Sequence, residues 1–243
     1  MKRTLAIILS ILMIGAALTA CGTQVVSSGK TEVVSKSDSD KTTKEGETVN
    51  YNAKSTEALI SVNDVPAANL DAADAEYQHK EPVKGEEVAT LHTNYGDISM
   101  KFFPEVAPKA VASFKALAKA GRYDDTIFHR VINNFMIQGG DYTNFNGTGG
   151  ESAFGEEFDL EVSDHLSNIE GAVAMANRGP GTNGSQFYIN QINNNYLDGN
   201  YTVFGQVFDG MDVVNDIAEV KTGANDKPVN DVILESVEIY AYE

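Results

Sequence analysis

Tryptophan is missing from the 243-residue chain, cysteine occurs once, histidine four times, and 18 Lys and Arg face 35 Asp and Glu. Each shortage excludes something. A single cysteine, Cys21, permits no internal disulfide. With no CxxC and no Cys/His cluster, the usual zinc frameworks are absent. His79, His92, His129 and His165 include no pair four residues apart, so no helix carries two of them on one face. A formal net charge of −17 argues against nucleic acid as a partner, because phosphate binding needs clustered Lys and Arg. There is no GxSxG elbow, and beyond Cys21 no thiol is available as a nucleophile. Two loops imitate ligand sites and fail on chemistry. "GPGTNGS" lacks the lysine of a phosphate loop, and "DYTNFNGTGGE" places Phe145 where a calcium loop needs an oxygen. Asn146-Gly147-Thr148 spells a glycosylation sequon, which is read as chance.

The first 86 residues read as delivery and spacing. Lys2 and Arg3 precede an apolar run, "LAIILSILMIGAAL", and then "LTAC" ending at Cys21. This is a secretory signal closing in small residues, with the sole cysteine where a bacterial lipobox places the lipidated first residue of the mature chain. The expected organisation is a lipoprotein signal peptide over 1–20, a lipidated Cys21 opening a tether over 21–86, and a folded domain over 87–243. Removing residues 1–20 takes Lys2 and Arg3 away, so charge does not draw the remainder to an anionic membrane and the acyl chains must hold it. The expected location is the extracytoplasmic face of a bacterial cell membrane. Residues 27–50 are rich in Ser, Thr and charge and contain no aromatic, a composition that cannot offset ordering entropy by burial. As a coil, the stretch from Cys21 to Val88 spans on the order of 45 Å. Residues 55–79 are ambiguous: "STEALI" and "LDAADAEYQ" suit helical turns, and Leu59, Ile60 and Leu70 are candidates to dock on the domain.

From Val88 short strands dominate. "VATLH" and "ISMKF" flank a turn, "TNYGD"; "TIFHRVI" and "FMIQG" are separated by Asn133 and Asn134; "GAVAMAN" and "SQFYIN" flank a Gly-rich loop; "YTVFGQVF" and the terminal "VILESVEIYAY" complete the set. "PEVAPKAVASFKALAKAG" predicts a helix with Ala110, Phe114, Leu117 and Ala118 on one face and Gly121 as its stop. "MDVVNDIAEV" predicts a second, with Val213, Ile217 and Val220 as its stripe. Many short strands with two helices indicate a mainly β fold, a closed antiparallel barrel plugged by helices. Strand alternation puts Arg130 on one face with Phe128 and Ile132, and His129 on the other. Taken alone, Arg130 fits either a structural ion pair or a working cation. Phe135 and Met136 read as core, and His129 as a packed core histidine.

Four ordered stretches, "FHRVINNFMIQGGD", "NGTGG", "AMANRGPGTNGSQFYI" and "YLDGNYTVFGQV", resemble the cyclophilin family of peptidyl-prolyl cis-trans isomerases. The likeness covers about residues 88–243. It implies a closed eight-stranded antiparallel barrel capped by two α-helices, with proline-containing polypeptides as partners. Rotation about an X-Pro bond requires no cofactor or metal, and nothing in the sequence suggests more than a monomer. The likeness implies Arg130 as the catalytic residue. Phe135, Met136, Tyr188 and Leu197 become the proline pocket, and Gln138, Ala176, Asn177 and Gln186 the groups that bind substrate backbone. Gly147 and Thr148 match the loop beside the neighbouring subsite. Tyr188, Tyr196 and Tyr201 stand where many members have Phe, Trp and His, so the pocket wall keeps its rings while its polar rim changes. The alternative is a proline-segment-binding chaperone or adhesin module with little catalysis. A solute-binding lipoprotein needs two lobes around a cleft, which one barrel-sized domain does not supply.

Overall fold

The computed structural model describes residues 54–243 except Ala75; the expected signal peptide, Cys21 and the tether over 27–50 lie outside the described residues. The elements run β1 (Glu87–Thr93), β2 (Gly96–Phe102), α1 (Pro108–Lys119), β3 (Thr126–Ile127), β4 (Arg130–Ile132), β5 (Met136–Gly139), β6 (Ala172–Met175), β7 (Phe187–Asn190), β8 (Val203–Asp209), α2 (Met211–Ala218) and β9 (Ile233–Ala241). All strand pairs are antiparallel, in the order β3-β9-β1-β2-β8-β6-β7-β5-β4.

The expectation of eight strands in a closed barrel is corrected: the described residues form nine, and β3 and β4 end the order unpaired with each other. Those two ends are separated in the chain only by Phe128 and His129. The reason is a change of partner within "TIFHRVI". Thr126 and Ile127 pair with β9 and the Phe128 N–H donates to Val232 O, whereas Arg130 already pairs with Gln138 of β5. The break also shifts the strand's phase. Phe128 and Val131 both enter the main core, while Ile132 packs in a second cluster. Phe128 therefore does not share the face of Arg130 and Ile132, as strict alternation predicts.

Helix α1 follows its pattern. Pro108 suits the first helical position, where a missing N–H costs nothing. Ala110, Phe114, Leu117 and Ala118 are buried, and the chain turns out of the helix at Gly121, with φ +63°. No side chain of Ala107 caps it. Instead the buried carboxylate of Glu161 accepts the N–H groups of Lys109 and Ala110, each at 3.0 Å. Phe114 centres the core, its ring 5.0 Å from that of Tyr123 and 5.4 Å from those of Phe187 and Phe204. Helix α2 buries Ile217 of its predicted stripe together with Val214 and Ala218, while Val213 and Val220 are half-buried against the core.

Within the expected tether over 21–86 the sequence leaves residues 55–79 open, and in the structure the described part of 54–86 packs on the sheet. The N–H groups of Leu59 and Ile60 donate to Ala153 O, and Ile60, Val62 and Val65 lie against the main core. Gln78 is buried, exchanging hydrogen bonds with Ser167 and reaching Gln206. Any spacer therefore ends before this strap.

Candidate active site

Strand register assembles the site. Arg130 of β4 lies opposite Gln138 of β5, Gln138 opposite Tyr188 of β7, and Tyr188 opposite Ala174 of β6. Directly paired residues point to the same face, and residues two apart along a strand join them. That face therefore also carries Met136, and continues past the strand ends to Gln186 and Ala176. The intervening row, Val131, Ile137, Ile189 and Val173, faces the main core. One period-two pattern supplies a dry inner face and a working outer one.

Two loops complete the wall. Asn133 and Asn134 turn the chain, with φ +58° at Asn134, and present Phe135. Asn194 ties this turn to the 3-10 turn Asn195–Leu197, its amide donating to Phe135 O (3.0 Å) and to Asn190 Oδ1 (2.8 Å). The Tyr196 ring stacks on Phe135 at 6.3 Å and 19°, and Tyr201 meets Tyr188 edge-on at 5.8 Å and 85°.

Nine of the residues singled out by sequence line one cavity of about 130 Å³: Arg130, Phe135, Met136, Gln138, Ala176, Asn177, Tyr188, Leu197 and Tyr201. A second cavity of about 150 Å³ shares Gln138, Ala176 and Asn177 with the first and adds Gly147, Thr148 and Gln186. Tyr196 lines neither, but extends the apolar wall outward through its stack on Phe135.

The amides are tied into a chain. Gln138 Nε2 donates to Gln186 Oε1 at 2.9 Å, and Gln186 Nε2 donates to the carbonyls of Gly147 (2.9 Å) and Gly149 (2.7 Å). The loop they reach is held from below by Asp141, whose carboxylate accepts five backbone N–H groups, from Thr143, Asn144, Asn146, Gly147 and Gly149. Burial alone would raise the Asp141 carboxyl, but these donors outweigh it and hold the group below the usual carboxylate range. His129 lies under the same loop: a Cβ on Gly147 (φ +88°) would sit 2.8 Å from its ring. Burial lowers the His129 pKa, outweighing Asp141, Gln186 and the Ile127 backbone, which favour the cation. His129 is thus a neutral packing group, as the sequence indicates.

Arg130 is the cation of the first cavity. Its guanidinium carbon is 6.0 Å from the centre of the Phe135 ring. Its Nε lies 3.5 Å from Asp226 Oδ2, a partner the sequence did not reveal. Nothing in "GANDKPVND" distinguishes Asp226 from Asp231, since their turn meets Arg130 only in the fold. Asn168 was missed for the same reason. It accepts the buried Tyr188 hydroxyl at 2.7 Å and is itself held by Asp198. The site has a fixed cation, an apolar slot and amide groups, and no nucleophile beside a base. It is fitted to hold and polarise a ligand rather than to bond to it.

Comparison with known proteins converges on the same chemistry. The profile of the family described as cyclophilin type peptidyl-prolyl cis-trans isomerase/CLD matches residues 88–239. A relative from Staphylococcus aureus (strain USA300), provisionally named a peptidyl-prolyl cis-trans isomerase, is 43% identical over 189 residues, covering 66% of this chain and 95% of its own. A similarly named relative from Staphylococcus saprophyticus is 44% identical over 186 residues, covering 65% and 94%. Among solved structures, a Cryptosporidium parvum cyclophilin type isomerase superposes with TM-score 0.63 at 37% identity, covering 65% of this chain and 99% of that one. The structure of the same protein in the presence of the dipeptide Ala-Pro gives 0.62 at 37% identity, covering 64% and 99%. With the outer sheet face, the ordered motifs and the family profile in agreement, this chain belongs to the cyclophilin-type peptidyl-prolyl cis-trans isomerases.

Proposed function

We propose that this isomerase accelerates X-Pro rotation in exported polypeptides through Arg130, without cofactor or covalent intermediate. The observation that carries the reading is the position of Arg130 on one cavity with Phe135, Met136, Tyr188 and Leu197. An X-Pro amide crosses a barrier of about 18–20 kcal/mol because its C–N bond has partial double-bond character. Binding the twisted amide better than either planar form lowers that barrier, and no acid, base or metal is needed. In the twisted state the prolyl nitrogen becomes pyramidal and gains a lone pair. A guanidinium, planar and always charged, stabilises that nitrogen and the adjoining carbonyl. The apolar wall holds the proline ring while the carbonyl side turns. Gln138, Asn177 and Gln186 bind the flanking backbone, so sequence demand beyond proline is weak.

Location follows from the leader: with cleavage before Cys21 and acylation of its thiol, the isomerase works at the outer face of the membrane, where exported chains fold. Palmitate labelling lost in a Cys21→Ser variant tests this arm. For catalysis, Arg130→Ala lowers kcat/KM on a proline peptide by about 100-fold or more with an unchanged circular dichroism spectrum. Near wild-type turnover by that variant overturns the mechanism.

A further inference from the structure

The arginine that does the work is not held by the sheet alone. Arg130 reaches past the edge of β4 to the 3-10 turn Ala224–Asp226, where Asp226 Oδ2 lies 3.5 Å from its Nε. Both side chains are substantially exposed, 41% and 48%, so this ion pair adds little to stability. The turn is nevertheless built to present the carboxylate. Asn225 and Asp226 each adopt φ +59°, the left-handed region that a side chain enters at a cost. The turn is closed at its base by the Gly223 N–H on Lys227 O (2.7 Å) and by the bridge between Thr222 and Pro228.

We propose that Asp226 is a positioning residue for the isomerase reaction: it holds Arg130 by its Nε edge and fixes the direction of the guanidinium over the proline cavity. A carboxylate at Nε leaves the two terminal nitrogens to donate toward substrate. The Phe135 ring lies 6.0 Å from the guanidinium carbon, within cation–π range, and is a second neighbour of the same group. A long arginine free to swing spends part of its time aimed at water. Held at Nε and packed near an aromatic ring, it is organised before the amide twists, and electrostatic catalysis depends on that prior organisation. The proposal rests on Arg130 acting in catalysis, and it concerns a residue from a different part of the chain.

The experiment is kinetic, on the chain as it stands. Asp226→Asn removes the charge and keeps a residue that tolerates the left-handed backbone; Asp226→Glu keeps the charge. On a proline peptide, Asp226→Asn lowers kcat about tenfold with KM within about twofold, because the cavity is untouched and only the cation's aim is lost. Asp226→Glu recovers most of the loss, and the thermal midpoint of Asp226→Asn stays within about 2 °C of wild type. In an Arg130→Ala background Asp226→Asn has no further effect, since nothing remains to position. Asp231→Asn, a nearby charge paired with Lys227, leaves kcat within about twofold. Unchanged kcat in Asp226→Asn overturns the proposal. So does an equal loss in the Arg130→Ala background, or an equal loss in Asp231→Asn. If Arg130→Ala itself keeps its activity, the catalytic reading fails instead, a result distinct from these.

Discussion

A buried phenol needs a partner, and Tyr188 has one. Its ring lines the cavity beside Arg130, while its hydroxyl, buried with it, donates to Asn168 Oδ1 at 2.7 Å. Burial, with Tyr201 and Asp198 nearby, pushes that hydroxyl far above the usual phenol range, so it stays a neutral donor. The departure from the phenylalanine common in the family is therefore compensated outside the pocket and leaves the apolar wall in place. Tyr188→Phe should keep kcat/KM within about twofold and lower stability by about 1 kcal/mol, a loss of roughly 2–4 °C in thermal midpoint. A large loss of activity would show that the hydroxyl serves the substrate rather than Asn168. At this scale the site was legible to the extent that motifs name residues. Arg130, Phe135, Met136 and Gln138 come from one contiguous stretch, and the structure brings them to one cavity. Asp226 and Asn168 were not legible, because each meets its partner only through a long-range contact, and a lone Asp or Asn has no spacing to give it away.

Elements were legible where periodicity met a stop signal. Helix α1 carries its apolar face and its Gly121 terminus openly, yet its true N-terminal cap, Glu161, lies on a distant loop. The "TIFHRVI" stretch misled because alternation presumes one continuous strand, and here the chain changes partners at Phe128 and His129. That same break puts His129 under the loop of residues 141–150, which makes the loop sensitive to acid. His129 has a lowered pKa in the fold, so its contribution is fully present above the ordinary histidine value of about 6.5 and declines as pH falls below it. Asp141 acts in the same direction further down. Its depressed pKa stabilises the fold above the ordinary aspartate value of about 3.9, and that stability is lost as pH falls through the folded value. Lowering pH from 7 to 5 should therefore destabilise the wild type, through His129 alone by up to about 1.4 kcal/mol per pH unit below 6.5. Amide exchange should quicken at Asn146, Gly147 and Gly149 in the same window, and His129→Gln should flatten both trends. Identical acid profiles for the two proteins would remove His129 from the account.

At the scale of the whole molecule the barrel-sized unit is larger than its family match. The family profile begins at residue 88, but the strap over 54–86 completes groups that the sheet cannot satisfy itself. Lys101 of β2 is the clearest case. Only 3% exposed, its ammonium donates to Tyr77 O at 2.8 Å and to Lys80 O, and lies 5.6 Å and 5.4 Å from the rings of Tyr77 and Phe103. Burial, the largest influence, lowers its pKa against the pull of Glu86 and Glu81. Lys54 works at the other end, its ammonium donating to Gly121 O and Asp124 O just past α1. The sequence left docking of this segment open because the strap is polar and lacks a long regular element; its value lies in single contacts to a surface that exists only after folding. The apolar burial of Ile60, Val62, Val65, Ala73 and Tyr77 is largely offset by the entropy lost in ordering the strap, so its net stabilisation is only a few kcal/mol. A chain cut to residues 87–243 should fold and turn over substrate, since the site residues lie between Arg130 and Tyr201 apart from the Asp226 support. It should melt lower than residues 54–243 by about 10 °C, or about 3 kcal/mol. In the shorter chain Lys101→Met should restore part of the loss, because an apolar side chain needs no carbonyl to receive it, whereas in the longer chain the same change should destabilise. Equal melting of the two chains, or the same sign for Lys101→Met in both, would show that the strap merely rests on a domain complete without it.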